Sequence, residues 1–246
     1  MVGLMGCGQG SSNSGSGGGG EKGGETLTIL AASSLIDAFG KLGKSFESSS
    51  TLLTQIQQGA PADVFASAAT EEMNTAVEDG LVAGRPEVFV ENREIIMVPK
   101  DNPAGIKEFR DVANSGVKLV LAQKDVPAAD YALQILDKAN SQYGASFEKD
   151  VLSNVVSREP DVRASVNRVV VGDADATFGY ASDYTPDIRD KVKVIPIPPD
   201  LNIIATYPIA ALDGAKSPKL AKKWVALVTS KEGQRVLEKW NFEPAA

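Results

Sequence analysis

Histidine is absent from the 246 residues, and cysteine occurs once, at Cys7. Without an imidazole the chain lacks the commonest general base near neutral pH and the commonest zinc ligand, so Ser-His-Asp and Cys-His catalysis cannot be assembled from it. A lone cysteine excludes an internal disulfide and a thiolate metal cluster. No internal repeat and no internal apolar run long enough to span a bilayer is visible. Positive charge is in deficit: the formal net charge is -7, which argues against nucleic acid or an anionic membrane surface as partner. An anionic ligand would have to be held by local donors against a repulsive overall field. What is present is ordinary for a globular protein, with 43% apolar residues and a length that fits one large domain or two modest ones.

At the N-terminus, Leu4-Met5-Gly6-Cys7 resembles a bacterial lipobox, in which the cysteine becomes the lipidated first residue of the mature protein. Residues 8–24 are Gly/Ser-rich, cannot pack, and read as a flexible tether. Cys7 is therefore the candidate lipidation site, and the expected location is outside the cytoplasmic membrane, held there by the lipid. The stretch ahead of the cysteine is shorter than the apolar run of roughly 7 to 15 residues in a signal peptide. Either a longer leader precedes it, or the match is accidental and residues 1–24 form a plain tail on a periplasmic protein.

The folded chain begins near Glu25 and alternates strands with helices, which implies an α/β fold of mostly parallel sheets. Residues 26–37 organise it. Leu27, Ile29 and Leu30 form an apolar strand that stops at Ala31-Ala32, and Ser33-Ser34 open a helix. A strand feeding a serine-capped helix leaves backbone N–H groups unpaired at the carboxyl edge of a sheet, where α/β proteins hold anions. On this stretch alone, capping explains Ser34 as well. Strands are expected at 88–90 and 94–98, with the polar stretch Pro99 to Pro103 as a crossover. The division expected is 1–24 leader and tether, 25–100 first lobe, 101–202 second lobe, and 203–246 a return to the first.

Four helix starts use the same device of short polar or small residues: Ser33-Ser34, Ser48-Ser49-Ser50-Thr51, Pro127-Ala128-Ala129 and Pro160-Asp161-Val162. Two come from each lobe. Each has a plain reading, since every helix needs a start. Brought together on one cleft they would offer hydroxyl and N–H donors to a tetrahedral oxyanion without a counter-charge. Tyr180, at a strand end, would add a phenol donor or be an ordinary core tyrosine.

These residues carry a family resemblance. Ala31-Ala32-Ser33-Ser34-Leu35, Ser48-Ser49-Ser50-Thr51-Leu52 leading into Gly59-Ala60-Pro61-Ala62-Asp63-Val64-Phe65, then Val126-Pro127-Ala128, Asp161-Val162-Arg163 and Phe178-Gly179-Tyr180 resemble the molybdate-binding proteins of bacterial ABC importers, over essentially all of 25–246. The resemblance implies a two-lobed type II periplasmic-binding-protein fold with a hinge between the lobes, closing on molybdate or tungstate. It implies an ABC permease as partner, a monomer and no cofactor. Carried over by position, Ser34 and Ser49 would give hydroxyl and backbone donors, Ala128 and Val162 backbone N–H groups, and Tyr180 its hydroxyl. The 59–65 run looks like a scaffold signature with no ligand contact.

One departure bears on Ser49. Relatives place a strand of roughly a dozen residues before the serine-rich helix start, whereas here Phe46-Glu47 runs directly into Ser48. A helix from Ser34 to Phe46 would climb about 1.5 Å per residue, nearly 20 Å from the cleft, and strand Ser49 at its far end. A helix stopping at Gly40 would rise only about 10 Å, and residues 41–47, extended at about 3.3 Å each, could return. Other readings are another anion such as sulfate, a variant impaired by the missing strand, or a non-transporting sensor. An enzyme built on carboxylates such as Asp37, Asp63 and Asp173 has less to recommend it, because caps and solvated faces explain each.

Overall fold

The computed structural model describes residues 26–40 and 45–245; the lipobox-like stretch, Cys7 and the tether lie outside the described residues. Two sheets share one long strand. The first holds, side by side, β2 (Ser45–Glu47), β1 (Ile29–Ala32), β3 (Val64–Ala66), β9 (Ile204–Ala211) and the leading half of β4 (Glu87–Pro99), with β10 (Glu243–Pro244) also beside β4. The second takes the rest of β4 and continues through β7 (Ala176–Tyr180) and β5 (Leu119–Ala122) to β6 (Val155–Glu159), with β8 (Val192–Ile195) on the other side of β4.

The passage between sheets falls inside β4. Arg93 still pairs with Ile204 of β9, and Glu94 already pairs with Tyr180 of β7. The sequence suggests two short strands and a crossover at 99–103. The structure makes the strands continuous, with no glycine or proline in Glu91-Asn92-Arg93-Glu94; the strand ends at Pro99 and the chain turns just after it, with Asn102 accepting the N–H of Ile106. The expected parallel pairing holds on the flanks, at β1–β2, β1–β3, β5–β6 and β5–β7. It gives way to antiparallel pairing where the returning β9 enters between β3 and β4. A chain that revisits its first sheet from the other lobe arrives running the opposite way.

Apolar residues alternate between the faces of each sheet, as the two-residue period of a strand requires. In the first, Ile29, Ala31, Val64, Ile209 and Ala211 pack on one side with α7 (Pro218–Val228) and α8 (Lys231–Glu238). Leu30, Phe65 and Ala210 face α2 (Ser49–Gln57) and α3 (Thr70–Glu78) on the other. In the second, Ile96 and Val98 look toward α4 (Pro127–Tyr143) and α5 (Phe147–Ser153), while Ile95 and Met97 look toward α6 (Val162–Val170). Among the described residues no helix is long and apolar enough to cross a membrane.

The junction ahead of Ser48 is settled at Gly40. The first helix is a 3-10 turn, Ser33–Leu35, continued by the single turn α1 (Ile36–Phe39), and it ends at Gly40 with φ 54° and ψ -139°. An L side chain is strained there. The chain is back in the sheet by β2, three residues paired in parallel with β1, Ala32 opposite Glu47. The strand that the sequence lacks at full length is present in short form, so α2 starts beside the end of β1.

Asp63 explains the 59–65 signature. Buried, it accepts the Thr28 N–H at 2.7 Å and the Ser217 N–H at 2.9 Å, tying the start of β1 to the start of α7.

Candidate functional site

Ser34, Ser49, Ala128, Val162 and Tyr180 line one small cavity of about 10 Å³, at the carboxyl ends of β1 and β7 and the starts of α2, α4 and α6. A space of that size is about that of one water molecule. All five are 3% exposed or less, so their donors face the cavity and the protein interior rather than bulk water.

Each backbone donor is free for a reason set by its helix. The N–H groups of a first turn have no carbonyl one turn earlier to bond. In α2 the Ser48 hydroxyl caps by accepting the Thr51 N–H at 3.1 Å, and Leu52 bonds the Ser48 carbonyl, which leaves the N–H of Ser49 unclaimed. In α4, Pro127 at the first position has no N–H to offer. Ala129 and Asp130 both bond the Val126 carbonyl, and the Ala128 N–H remains. In α6 the cap is Asp161, not Pro160, which precedes the helix. Its carboxylate accepts the Ala164 N–H at 2.9 Å, and Val162 is left as the leading free donor. Gly179 sets how closely α6 approaches: a Cβ there would lie 2.7 Å from the Met97 side chain and 3.2 Å from Val166.

The hydroxyls are held from behind. Ser49 Oγ accepts the Ala68 N–H at 2.9 Å, which occupies a lone pair and leaves its hydrogen for the cavity. Ser34 Oγ lies 2.9 Å from the hydroxyl of Tyr207, on β9. Tyr180 is fixed by its main chain, whose N–H is accepted by Asp183 at 3.0 Å, and its own hydroxyl has no partner among the described residues. Burial pushes that phenol far above its ordinary pKa, so it stays a protonated donor.

Cations are kept off the described wall, and one carboxylate stands on it. Among the described residues no lysine or arginine lines the cavity. Glu47 does, but its oxygens are taken by Gln55 Nε2 at 3.1 Å and Ser45 Oγ at 3.3 Å. Glu94, opposite Tyr180 in the sheet, is fully buried, and burial with the added repulsion of Asp183 raises its pKa well above the ordinary value, so it carries its proton. Among the described residues, the positive pole that a guest meets comes from the helix starts.

The family described as bacterial extracellular solute-binding protein matches residues 27–243. The chain belongs to that family. The molybdate-binding protein ModA of Mycobacterium tuberculosis is 34% identical to it, over 98% of this chain and 93% of its own length. Two solved structures superpose with a TM-score of 0.75 over 89% of this chain. One is the periplasmic molybdate-binding protein of Azotobacter vinelandii, 14% identical and covered in full, and the other is the sulfate-binding protein SubI of Mycobacterium tuberculosis, 18% identical and 86% covered. The fold is the two-lobed type II periplasmic-binding-protein fold.

Sequence reasoning did not find Tyr207, Asn92 or Ala68. Tyr207 sits inside a stretch that reads only as a returning strand, yet a tyrosine among apolar strand residues signals a hydroxyl in need of a partner. Asn92 is wholly buried within β4, where a buried amide likewise requires partners. The carboxylates that an enzyme would need are dispersed: Asp63 accepts backbone N–H groups, Asp37 pairs with Arg163, and Asp173 with Arg168.

Proposed function

We propose that this protein captures molybdate or tungstate outside the cytoplasmic membrane and delivers it to an ABC permease, the two lobes closing on the anion about β4 and the segment leading into β9. The observation that carries the reading is the donor set. First-turn N–H groups and the hydroxyls of Ser34, Ser49 and Tyr180 line one small closed space, with no cation on its wall among the described residues. Ser34 and Ser49 bind from the first lobe, and Ala128, Val162 and Tyr180 from the second. The anion therefore favours the closed arrangement through contacts that an open cleft cannot make together. The 34% identity to a molybdate-binding protein supports the choice of guest.

Cavity size separates molybdate from sulfate, whose central atom–oxygen bonds are shorter, and tungstate matches molybdate. Cys7 carries the lipid anchor, the residues after it are the tether, and the protein acts as a monomer. Calorimetric titration tests the guest: micromolar or tighter binding of molybdate and tungstate, with sulfate at least a hundredfold weaker, is expected. Equal affinity for sulfate removes the size argument, and silence toward all three removes the function. Loss of labelled palmitate from a Cys7→Ser variant tests the anchor.

A further inference from the structure

We propose that closing the lobes on the anion takes up a proton from solvent, held by the Glu72 carboxyl at the seam between α3 and α4. The inference rests on the proposed anion site and concerns what else the closed protein binds.

α3 and α4 come from different lobes and both open at the cavity. Ala68, on its wall, stands just ahead of α3, and Ala128, also on its wall, is the second residue of α4. Tyr131, one turn further along α4, packs against the core cluster of the first sheet, which brings the start of α4 onto the first lobe. Three carboxylates meet there. Glu71 and Glu72 belong to α3 and Asp130 to α4; Asp130 repels Glu72, and Glu71 repels both. Asp125, ahead of α4, adds its charge at Asp130, and Glu94 of β4 faces the same Tyr131. Among the described residues none of the three forms an ion pair with a lysine or arginine.

A carboxylate in a first turn is ordinary where it is exposed, since a helix start favours negative charge. Glu71 is such a residue. Glu72 is not: it is 8% exposed, and its Oε2 is buried with no partner among the described residues. Met73 and Ala76 face the sheet beneath α3, whereas Glu72 lies round the helix on the side of Asp130 and Tyr131. A charge there loses its water. Burial lifts Glu72 to about 7, Glu71 and Asp130 add to the rise, and its own backbone N–H and the Ser67 hydroxyl oppose it less strongly. With the lobes apart, Asp130 and Tyr131 withdraw, water returns, and the carboxyl falls back toward its ordinary value of 4.5. Closure therefore carries a proton onto Glu72. A dianion beside Ala68 acts in the same direction, and the proton offsets part of the charge it brings to a chain already at -7.

The test is calorimetric titration with molybdate at about pH 7 in buffers of different ionisation enthalpy, which counts protons, repeated between about pH 6 and pH 8. A group that moves from about 4.5 to about 7 on closure takes up about half a proton per anion at about pH 7, and the dissociation constant rises about tenfold from about pH 6 to pH 8. In Glu72→Gln the uptake should fall below about 0.2 proton, the pH dependence should shrink to about twofold, and binding at about pH 8 should be about tenfold tighter than in the wild type. Thermal unfolding is the folding control. Where Glu72→Gln does not fold, Asp130→Asn decides: it relieves the repulsion across the seam, so the count should drop, and an unchanged count overturns the inference. Undiminished uptake in a folded Glu72→Gln, or a wild-type affinity that does not vary with pH, overturns it as well. Should sulfate be the guest, the proposed anion fails separately and the same count with sulfate decides; silence toward every anion overturns both.

Discussion

Arg163 Nη2 lies 2.9 Å from Asp37 Oδ2, so the residue after a cavity-lining N–H in the second lobe is joined to the first lobe's opening helix. Arg163 also faces the buried Asp183 at 3.6 Å. Both side chains of the first pair are about one quarter exposed, which keeps the interaction in the range of about 1 kcal/mol rather than that of a buried bridge. Asp37→Asn should therefore raise the molybdate dissociation constant by roughly three- to tenfold, with the deficit shrinking as salt rises. Unchanged affinity at low ionic strength would show that the pair does not bias closure.

Acidity should stabilise the protein down to about pH 5. Burial raises Asp183 to about 6, with Arg163 opposing, and Glu72 to about 7, and it raises Glu94 as well. A carboxyl whose folded pKa exceeds its unfolded one makes the folded chain hold more protons, so stability declines as pH climbs between the two values and the penalty is complete above the higher. For Asp183 the window is about 4 to 6 and for Glu72 about 4.5 to 7. Asp111, Glu159 and Asp187 are depressed, by backbone or side-chain hydrogen bonds, and act in the opposite sense below about pH 4. At roughly 1.4 kcal/mol per unit, a melting temperature several degrees higher at pH 5 than at pH 8 follows. A melting temperature that rises steadily to pH 8 would refute it.

Val162→Pro isolates one backbone donor. Proline is accepted at the first position of a helix, and Asp161 ahead of it is already extended, with φ -153° and ψ 173°. The substitution removes a single N–H and leaves α6 intact. A hydrogen bond to a charged partner contributes about 1.5 to 3 kcal/mol, so affinity should fall between about ten- and a hundredfold with little change in melting temperature. Retention of full affinity would take Val162 out of the site.

Gly40→Ala tests the short return to β2. The position has φ 54°, and forcing a side chain into such a region costs of order 1 to 3 kcal/mol. Because β2 leads directly to Ser48 and Ser49, molybdate affinity should drop along with stability. A variant of normal stability and affinity would mean that the helix stop does not depend on glycine.

The starts of helices were legible because they are local. Serine ahead of an apolar run at Ser48-Ser49 and proline opening a helix at Val126-Pro127-Ala128 need a window of only a few residues. Even at α6, where the cap is Asp161 and the proline stands outside, the start is displaced by a single position or two. What stood behind these starts was not legible. The partner of Ser34 is 173 residues away, and the donor to Ser49 is on a loop whose sequence, Ser67-Ala68-Ala69, carries no sign of it. The length of the first helix was undecided for a related reason. Leu35, Ala38, Phe39, Leu42 and Phe46 keep helical spacing, and the stop at Gly40 depends on pairing with β1, which a periodicity does not record. The antiparallel centre of the sheets was hidden likewise, since strand direction follows from which lobe the chain comes back from.

The position of β9 fixes the order in which the molecule can be completed. It lies between β3 and β4, yet residues 100–203 come between β4 and β9 in the chain. As the polypeptide emerges, that second lobe is contiguous and has its own core to collapse around, while the first waits with a gap in its middle until residue 211 has appeared. Every residue that lines the cradle for the anion has therefore been made before the strand that completes the sheet beneath it.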